Sequence, residues 1–185
     1  MEHVKYKVLG VSGSPRSVSN TDIMVKEVLK GARDSGHQTT FIKLNDLNIK
    51  GCQACGYCRE KPTNKCKLLD DGYDLLEMTI DCDVLVFGSP VYMGGVSAQA
   101  KLYLDRWYSF KDINRITKLT KDRRVIGVYA QGAKQGSFNR LFEANERLFN
   151  SNNFGYMGTI VAPEYLEPKE GDEVMTLAYK YGHTL

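Results

Sequence analysis

Short apolar runs alternate with helical patterns along nearly the whole sequence, and this alternation constrains the fold more than any other feature. A strand followed by a helix and another strand predicts βαβ units and a parallel sheet. The predicted strands cover Tyr6–Val11, Thr39–Leu44, Asp83–Gly88, Arg124–Ala130 and Gly158–Ala162. Helical patterns follow each strand, to about residue 36 after the first and then over 70–80, 97–109, 138–149 and 173–181.

Five such strands with helices on both faces predict an α/β fold, a flavodoxin-like doubly wound parallel sheet of strand order 2-1-3-4-5. The length of 185 residues and the hydrophobic content of 42% suit one domain over 1–185 with one good core. A net charge of +3, with basic residues spread along the chain, does not indicate nucleic acid. No apolar run is long enough to span a membrane, and the first residues lack a signal-peptide core. We therefore expect a cytoplasmic protein.

In a sheet of this order, ligands bind outside the carboxyl ends of the strands, where the strand order reverses. The loop after the first strand is rich in hydroxyl groups, carries a positive charge and leads into a helix. Helix N-termini bind anions through their free N–H groups, so a monophosphate fits here, and no dinucleotide or triphosphate fingerprint is present. A serine-rich turn with a helix cap is the alternative. The candidate residues are Ser12, Ser14, Arg16, Ser19, Asn20 and Thr21.

The loops after the third and fourth strands offer the other half of a ligand site. Proline stiffens the first of them, and its glycines let the backbone approach a flat ring closely. The side chains there can instead pack under the next helix, and the second loop can be a flexible turn. The candidate residues are Pro90, Val91, Tyr92, Met93 and Gly94 in the first loop and Gln131, Gly132 and Gly136 in the second.

Four of the five cysteines, Cys52, Cys55, Cys58 and Cys66, follow the pattern C-x2-C-x2-C-x7-C in a cysteine-rich loop at 50–67. A spacing of three fits neither a helix face nor a strand face, so the run predicts a compact loop. Cys66 can close the set from beyond Pro62 and Asn64. Four thiolates, three of them at this spacing, are typical of an iron–sulfur cluster.

We favour a 4Fe-4S cluster over zinc, because structural zinc is typically held by two separated C-x2-C pairs or by mixed cysteine and histidine ligands. The histidines His3, His37 and His183 are remote in sequence. Another metal, metal-free thiols and disulfides remain as alternatives, although disulfides are rare in a reducing cytoplasm. The fifth cysteine, Cys82, is expected to be a buried structural thiol. Trp107 fits an oligomer interface, a cover over the ligand or the core.

Two motifs resemble the NADPH-dependent FMN reductase superfamily: Gly-Ser-Pro-Arg at 13–16 with Ser-Asn-Thr at 19–21, and Gly-Ser-Pro-Val-Tyr-Met-Gly at 88–94. The four cysteines resemble its iron–sulfur flavoprotein branch. This resemblance covers roughly residues 5–163 and implies a flavodoxin-like fold, one FMN, one 4Fe-4S cluster and a homodimer or homotetramer. It further implies that the first loop holds the FMN phosphate and the 89–94 loop the isoalloxazine.

The main functional hypothesis is an electron-transfer flavoprotein. A ferredoxin-like donor reduces the cluster, electrons pass to FMN, and a small-molecule acceptor such as oxygen, peroxide or a quinone receives them. No side-chain acid or base is required, so no catalytic residue is assigned. One alternative is an NAD(P)H-dependent FMN or quinone reductase whose cysteines hold zinc or nothing. The other is a metal- or redox-sensing binding protein.

Overall fold

The predicted strands form one sheet in the computed structural model, which describes residues 4–61, 63, 65–162 and 167–185. Five strands pair in parallel in the order β2-β1-β3-β5-β6, and the short β4 pairs antiparallel with the end of β3. With this hairpin strand set aside, the order is the predicted 2-1-3-4-5, and the flavodoxin-like fold is confirmed. The strands are β1 (Lys7–Ser12), β2 (Gln38–Lys43), β3 (Val84–Tyr92), β4 (Gly95–Val96), β5 (Arg123–Ala130) and β6 (Phe154–Ala162).

Helices cover both faces of the sheet. They are α1 (Asn20–Asp34), α2 (Tyr57–Glu60), α3 (Asp71–Asp81), α4 (Ala98–Arg106), α5 (Asn139–Asn150) and α6 (Glu173–His183), with 3-10 turns at Leu44–Asp46 and Trp107–Phe110. Helices α1 and α6 pack on one face, against residues such as Val86 and Ile126. Helices α3, α4 and α5 pack on the other, against residues such as Leu85 and Phe87. Among the described residues, no helix is both long and apolar enough to cross a lipid bilayer.

The strand boundaries differ from the prediction most at two places. Strand β6 begins at Phe154 rather than at Gly158, and a bulge opposite Val125 and Ile126 interrupts its alternation at Met157. The predicted loop 89–95 is instead the end of β3 and a tight turn into β4. Met93 and Gly94 form this turn with φ angles of 49° and 76°, the left-handed geometry that two-residue hairpins require.

Two side chains that the sequence analysis singled out belong to the core. Trp107 is buried against the rings of Phe149 and Phe154, with ring centroids 5.6 Å and 5.0 Å away. Cys82 is buried, donates to the carbonyl of Thr79 at 3.3 Å, and has its pKa raised to about 12 by that burial. Cys82 is therefore the structural thiol that the sequence predicted.

Helices α1 and α6 approach so closely that glycine is required at their contact. A Cβ atom on Gly182 would lie 1.9 Å from the carbonyl oxygen of Val28. We expect Gly182→Ala to lower the free energy of unfolding by about 2 kcal/mol, because the helices must separate. The control is Gly155→Ala, where the added Cβ would meet only the Arg123 carbonyl at 3.6 Å. Urea denaturation measures both variants, and a stabilised Gly182→Ala protein would contradict this packing.

Candidate cofactor sites

A cavity of about 250 Å³ lies at the carboxyl ends of β1, β3 and β5, where the strand order reverses. It is therefore at the position that the doubly wound topology predicts for a ligand. Its walls come from all three of the loops that the sequence singled out. The lining residues are Ser14, Arg16, Ser19, Asn20, Thr21, Pro90, Val91, Tyr92, Ala130, Gln131 and Gly132.

Four predicted ligand residues do not line this cavity. Ser12 is fully buried and its hydroxyl donates to Asp22 at 2.5 Å, so it supports the loop from beneath. Met93 and Gly94 form the exposed tip of the β3–β4 hairpin, beyond the cavity wall. Gly136, with a φ of 86°, lies in the turn before α5.

The phosphate end of the cavity is built on the N-terminus of α1. Ser19 is the N-cap, and its hydroxyl accepts from the backbone N–H of Asp22 at 3.3 Å. A helix start of this kind presents further N–H groups and a positive dipole end to an anion. Arg16 adds a formal positive charge at the same wall.

A buried carboxylate beside this anion site is compensated by an ion pair that sequence reasoning missed. Asp22 is 6% exposed, and its second oxygen accepts from Lys43 Nζ at 2.7 Å. The same ammonium donates to the carbonyl of Arg16 and so joins the end of β2 to the first loop. Because Lys43 offsets the charge of Asp22, a phosphate can bind nearby without facing an unpaired carboxylate.

Hydrogen bonds join the loop after β1 to the loop after β3. Gly13 N–H donates to the Gly88 carbonyl at 2.9 Å, and the hydroxyl of Ser97 donates to the Gly13 carbonyl at 2.6 Å. The N–H of Ser97 in turn donates to the Ser89 hydroxyl at 3.0 Å. A side chain at Gly13 would collide with Ala100, since its Cβ would lie 2.7 Å from that methyl group. These bonds fix the distance between the two halves of the cavity.

Gln131, in the wall of this cavity, has a buried side-chain oxygen that a ligand could bind. Its Nε2 donates to the carbonyls of Ala133 and Lys134 at 3.0 Å and 2.8 Å, which leaves Oε1 facing elsewhere. Gln131 is 4% exposed, and Oε1 has no hydrogen-bond partner. A buried acceptor without a partner is costly unless a ligand donates to it.

A second cavity, of about 350 Å³, is lined by all four cysteines of the predicted set. Cys52 and Cys55 are exposed, whereas Cys58 and Cys66 are half-buried. The remaining lining residues are Gln53, Ala54, Gly56, Arg59, Lys67, Leu68, Arg106, Tyr108 and Ser109. In the part of the chain that the structure describes, no three Cys, His, Asp or Glu side chains converge closely enough to hold a single metal ion. Pro62 and Asn64, beyond which Cys66 was expected to close the set, and His3 lie outside the described residues.

The wall of this cysteine cavity contains polar atoms without hydrogen-bond partners. They are the Nε atoms of Arg59 and Arg106 and the Oγ of Ser109. Burial raises the pKa of the Cys58 thiol, and the neighbouring Cys66 raises it further, while Lys118 acts in the opposite direction. Lys118 Nζ donates to the carbonyl of Cys58 at 2.6 Å and to that of Thr63. The cavity therefore concentrates thiols among unsatisfied hydrogen-bond donors.

The base of the cysteine loop is held by a buried arginine that sequence reasoning also missed. Arg106, at the end of α4, donates to the carbonyls of Lys50 and Leu68, each at 3.0 Å, and to both oxygens of Asp70. Asp70 also directly precedes α3. Asp70 occupies the cap position, but its carboxylate binds Arg106 and the Lys50 N–H instead of an N–H of the helix.

These observations define an α/β protein of the flavodoxin-like class with a ligand cavity at the strand tips and a cysteine-lined cavity beside it. The sequence profile of the NADPH-dependent FMN reductase family matches residues 6–166. The chain belongs to this family.

Individual relatives agree with that assignment. An iron–sulfur flavoprotein of Methanocaldococcus jannaschii is 43% identical over 100 residues, which are 54% of this chain and 51% of the relative. An iron–sulfur flavoprotein of Archaeoglobus fulgidus is 32% identical over 142 residues, which are 75% of this chain and 63% of the relative. The chain thus spans about half to two-thirds of these relatives. The structure of an NAD(P)H:quinone oxidoreductase from Methanothermobacter marburgensis matches with a TM-score of 0.73 at 15% identity, over 98% of this chain and 97% of that one.

Removing the ammonium of Lys43 should leave the buried Asp22 carboxylate without its charge partner. We expect Lys43→Met to lower the free energy of unfolding by about 3 kcal/mol, because removing one partner of a buried pair leaves the other charge buried and uncompensated. The double variant Lys43→Met/Asp22→Asn should recover most of that loss. Lys7→Met serves as the control, since Lys7 pairs with Asp81 at the exposed surface. Urea denaturation compares them, and equal losses for Lys43→Met and the control would contradict the assigned role.

Proposed function

We propose that the protein is an FMN-dependent oxidoreductase in which a 4Fe-4S cluster, held by Cys52, Cys55, Cys58 and Cys66, exchanges electrons with the flavin. The observation that carries the proposal is that these four cysteines line a single cavity. Family membership supports the FMN, and the iron–sulfur flavoproteins among the relatives support the cluster.

The residues of the strand-tip cavity fit FMN in polarity and position. Ser14, Arg16 and the N-terminus of α1 would hold the phosphate, since they bring hydroxyl, cationic and N–H donors to one end. Gln131 Oε1, buried without a partner, would accept from a ring N–H at the other end. Bound FMN would supply chemistry that no side chain has, the exchange of both single electrons and hydride.

The cysteine cavity fits a cluster better than one zinc ion. Zinc requires its ligands within about 2.3 Å of a single point, and the described residues offer no such convergence. A 4Fe-4S group instead spreads its four thiolates around a larger body, which suits a cavity of about 350 Å³. The unpartnered donors of Ser109 and Arg106 would then bond to sulfur. Such a cluster would supply one-electron transfer.

The surroundings of the cysteine cavity favour an acidic, ferredoxin-like electron donor. Arg59 and Lys67 belong to its wall, and Lys61 and Lys65 are exposed nearby in the same loop. Positive charge around a redox centre attracts an acidic protein partner and speeds its docking. An acceptor such as oxygen, peroxide or a quinone would react at the open strand-tip cavity. A cytoplasmic location and a homodimer or homotetramer remain predictions.

A second candidate is an NAD(P)H-dependent FMN or quinone reductase without a cluster. It is favoured by the family assignment and by the fold shared with an NAD(P)H:quinone oxidoreductase. In that case Tyr92, which lines the strand-tip cavity and is 39% exposed, would border the position of the nicotinamide.

Anaerobic purification followed by joint analysis of FMN, iron, sulfide and zinc separates these functions. The proposal predicts iron and sulfide each in about fourfold excess over FMN, and flavin bleaching by reduced ferredoxin. FMN with no iron, bleached rapidly by NADPH, would remove the cluster and establish the second candidate. Zinc without flavin would instead favour a metal-sensing binding protein.

The Ser109 hydroxyl should tune the cluster. A hydrogen bond to sulfur stabilises the reduced, more negative form, so we expect Ser109→Ala to make the cluster potential more negative. Loss of a bond worth about 1 kcal/mol lowers the equilibrium constant for reduction about fivefold. Anaerobic redox titration monitored by electron paramagnetic resonance measures this change. Ser35→Ala is the control, because Ser35 bonds to His183 away from both cavities, and an equal shift in the two variants would refute a local effect.

A further inference from the structure

We propose that Arg106 is a positioning residue, which closes the cysteine loop at its base and thereby keeps the four thiols facing one cavity. This inference rests on the proposed function only for the identity of the group that the thiols bind. The contacts that support it are made by the protein's own backbone and side chains and do not depend on a bound cofactor.

The guanidinium of Arg106 joins the two ends of the loop directly. Nη1 donates to the carbonyl of Lys50, just before the first cysteine, at 3.0 Å. Nη2 donates to the carbonyl of Leu68, just after the last cysteine, also at 3.0 Å. Because these two carbonyls flank the whole cysteine set, one side chain determines how far apart the loop ends can lie.

Asp70 binds the same guanidinium, and we call this pair of Arg106 and Asp70 the clamp. Its carboxylate accepts from Arg106 Nη1 at 2.9 Å and 3.0 Å, and from the Lys50 N–H at 2.9 Å. The Arg106 side chain is 0% exposed and that of Asp70 is 9% exposed, so solvent screens this pair poorly. Gly72 allows the close approach, since a Cβ there would lie 3.0 Å from Ile49 and 3.2 Å from Arg106 Nη1.

The loop itself is held by scattered side-chain contacts and not by strand pairing. Its short helix α2 is a single turn that begins after Gly56, at a φ of 74°, and Ala54 adopts a φ of 51°. Lys118 binds the carbonyl of Cys58, and Arg59 binds that of Ile113 at 2.7 Å. A loop of this length loses conformational entropy when its ends are joined, so the clamp at the base pre-organises it for its ligand.

Only arginine has the geometry for this role. Its planar fork carries five N–H donors. Nη1 bonds to the Lys50 carbonyl and to both oxygens of Asp70, Nη2 bonds to the Leu68 carbonyl, and Nε has no partner. Lysine could keep the charge opposite Asp70 but could not bind both carbonyls in the same plane. A purely structural role would affect stability alone, whereas a positioning role also affects how the thiols hold their ligand.

The decisive experiment compares Arg106→Lys, the double variant Arg106→Met/Asp70→Asn and a control, Lys101→Met. The double variant removes both buried charges together, so it avoids an isolated carboxylate. Lys101 lies on the same helix, paired with Asp105 at the surface. The first readout is the rate at which anaerobically purified protein releases iron to a chelator, measured beside the FMN content and the melting temperature.

We expect iron release at least tenfold faster in the double variant and an intermediate rate in Arg106→Lys, with FMN content preserved. Lys101→Met should match the wild type. Wild-type release rates in both Arg106 variants would overturn the proposal. If the double variant fails to fold and binds no FMN, the Arg106→Lys protein alone decides between these outcomes.

A second readout does not require a cluster. In metal-free protein, iodoacetamide should label the half-buried Cys58 and Cys66 more slowly than the exposed Cys52 and Cys55. We expect the Arg106 variants to abolish most of that difference, and an unchanged labelling pattern would refute the clamp. Absence of iron from the wild type would refute the proposed cluster function, while the labelling pattern would still test the role of Arg106.

Discussion

The parallel pairing of β1 with β3 is the constraint on which the strand-tip cavity depends. Both strands are buried for nearly their full length, and their register sets Ser12 beside Gly88. Because parallel strands end at the same edge, the serine-rich loop and the proline-containing loop must emerge side by side. The bonds from Gly13 to Gly88 and from Ser97 to Gly13 then fix their separation. A ligand that spans both loops therefore meets walls that the sheet has already positioned.

The cysteine cavity depends on different interactions. Its loop leaves the sheet after β2 and returns at α3, so no strand pairing determines where the thiols lie. A buried ion pair at the loop base replaces the sheet as the organising element. The two cavities thus differ in what maintains them: backbone pairing for the first, and one guanidinium with its carboxylate for the second.

Local patterns in the sequence predicted most of the fold and most of the residues that line the two cavities, but not the side chains that support them. Apolar runs such as Val-Leu-Val-Phe at 84–87 predict strands because burial on both faces leaves a continuous signal. The bulge at Met157 breaks that signal, so the sequence pattern predicts a start for β6 that is four residues too late. Asp22, Lys43 and Arg106 act through partners distant in sequence, and a single charged residue on a helix or strand gives no local indication of such a partner. The cysteines, by contrast, were found because their spacing alone is unusual.

A charged pair lies at the loop base, although an apolar contact there would cost less desolvation. The reason is that the pair hydrogen-bonds backbone groups at the two loop ends. Replacing a buried ion pair with hydrophobic residues is often neutral for stability. Here, however, the pair also satisfies the carbonyls of Lys50 and Leu68 and the N–H of Lys50. No apolar side chain could bond to these groups, and the bonds to the two carbonyls are partly buried, where a peptide group without a partner is disfavoured. The charge of Arg106 is therefore retained because a loop with little secondary structure of its own must have its ends hydrogen-bonded by a side chain.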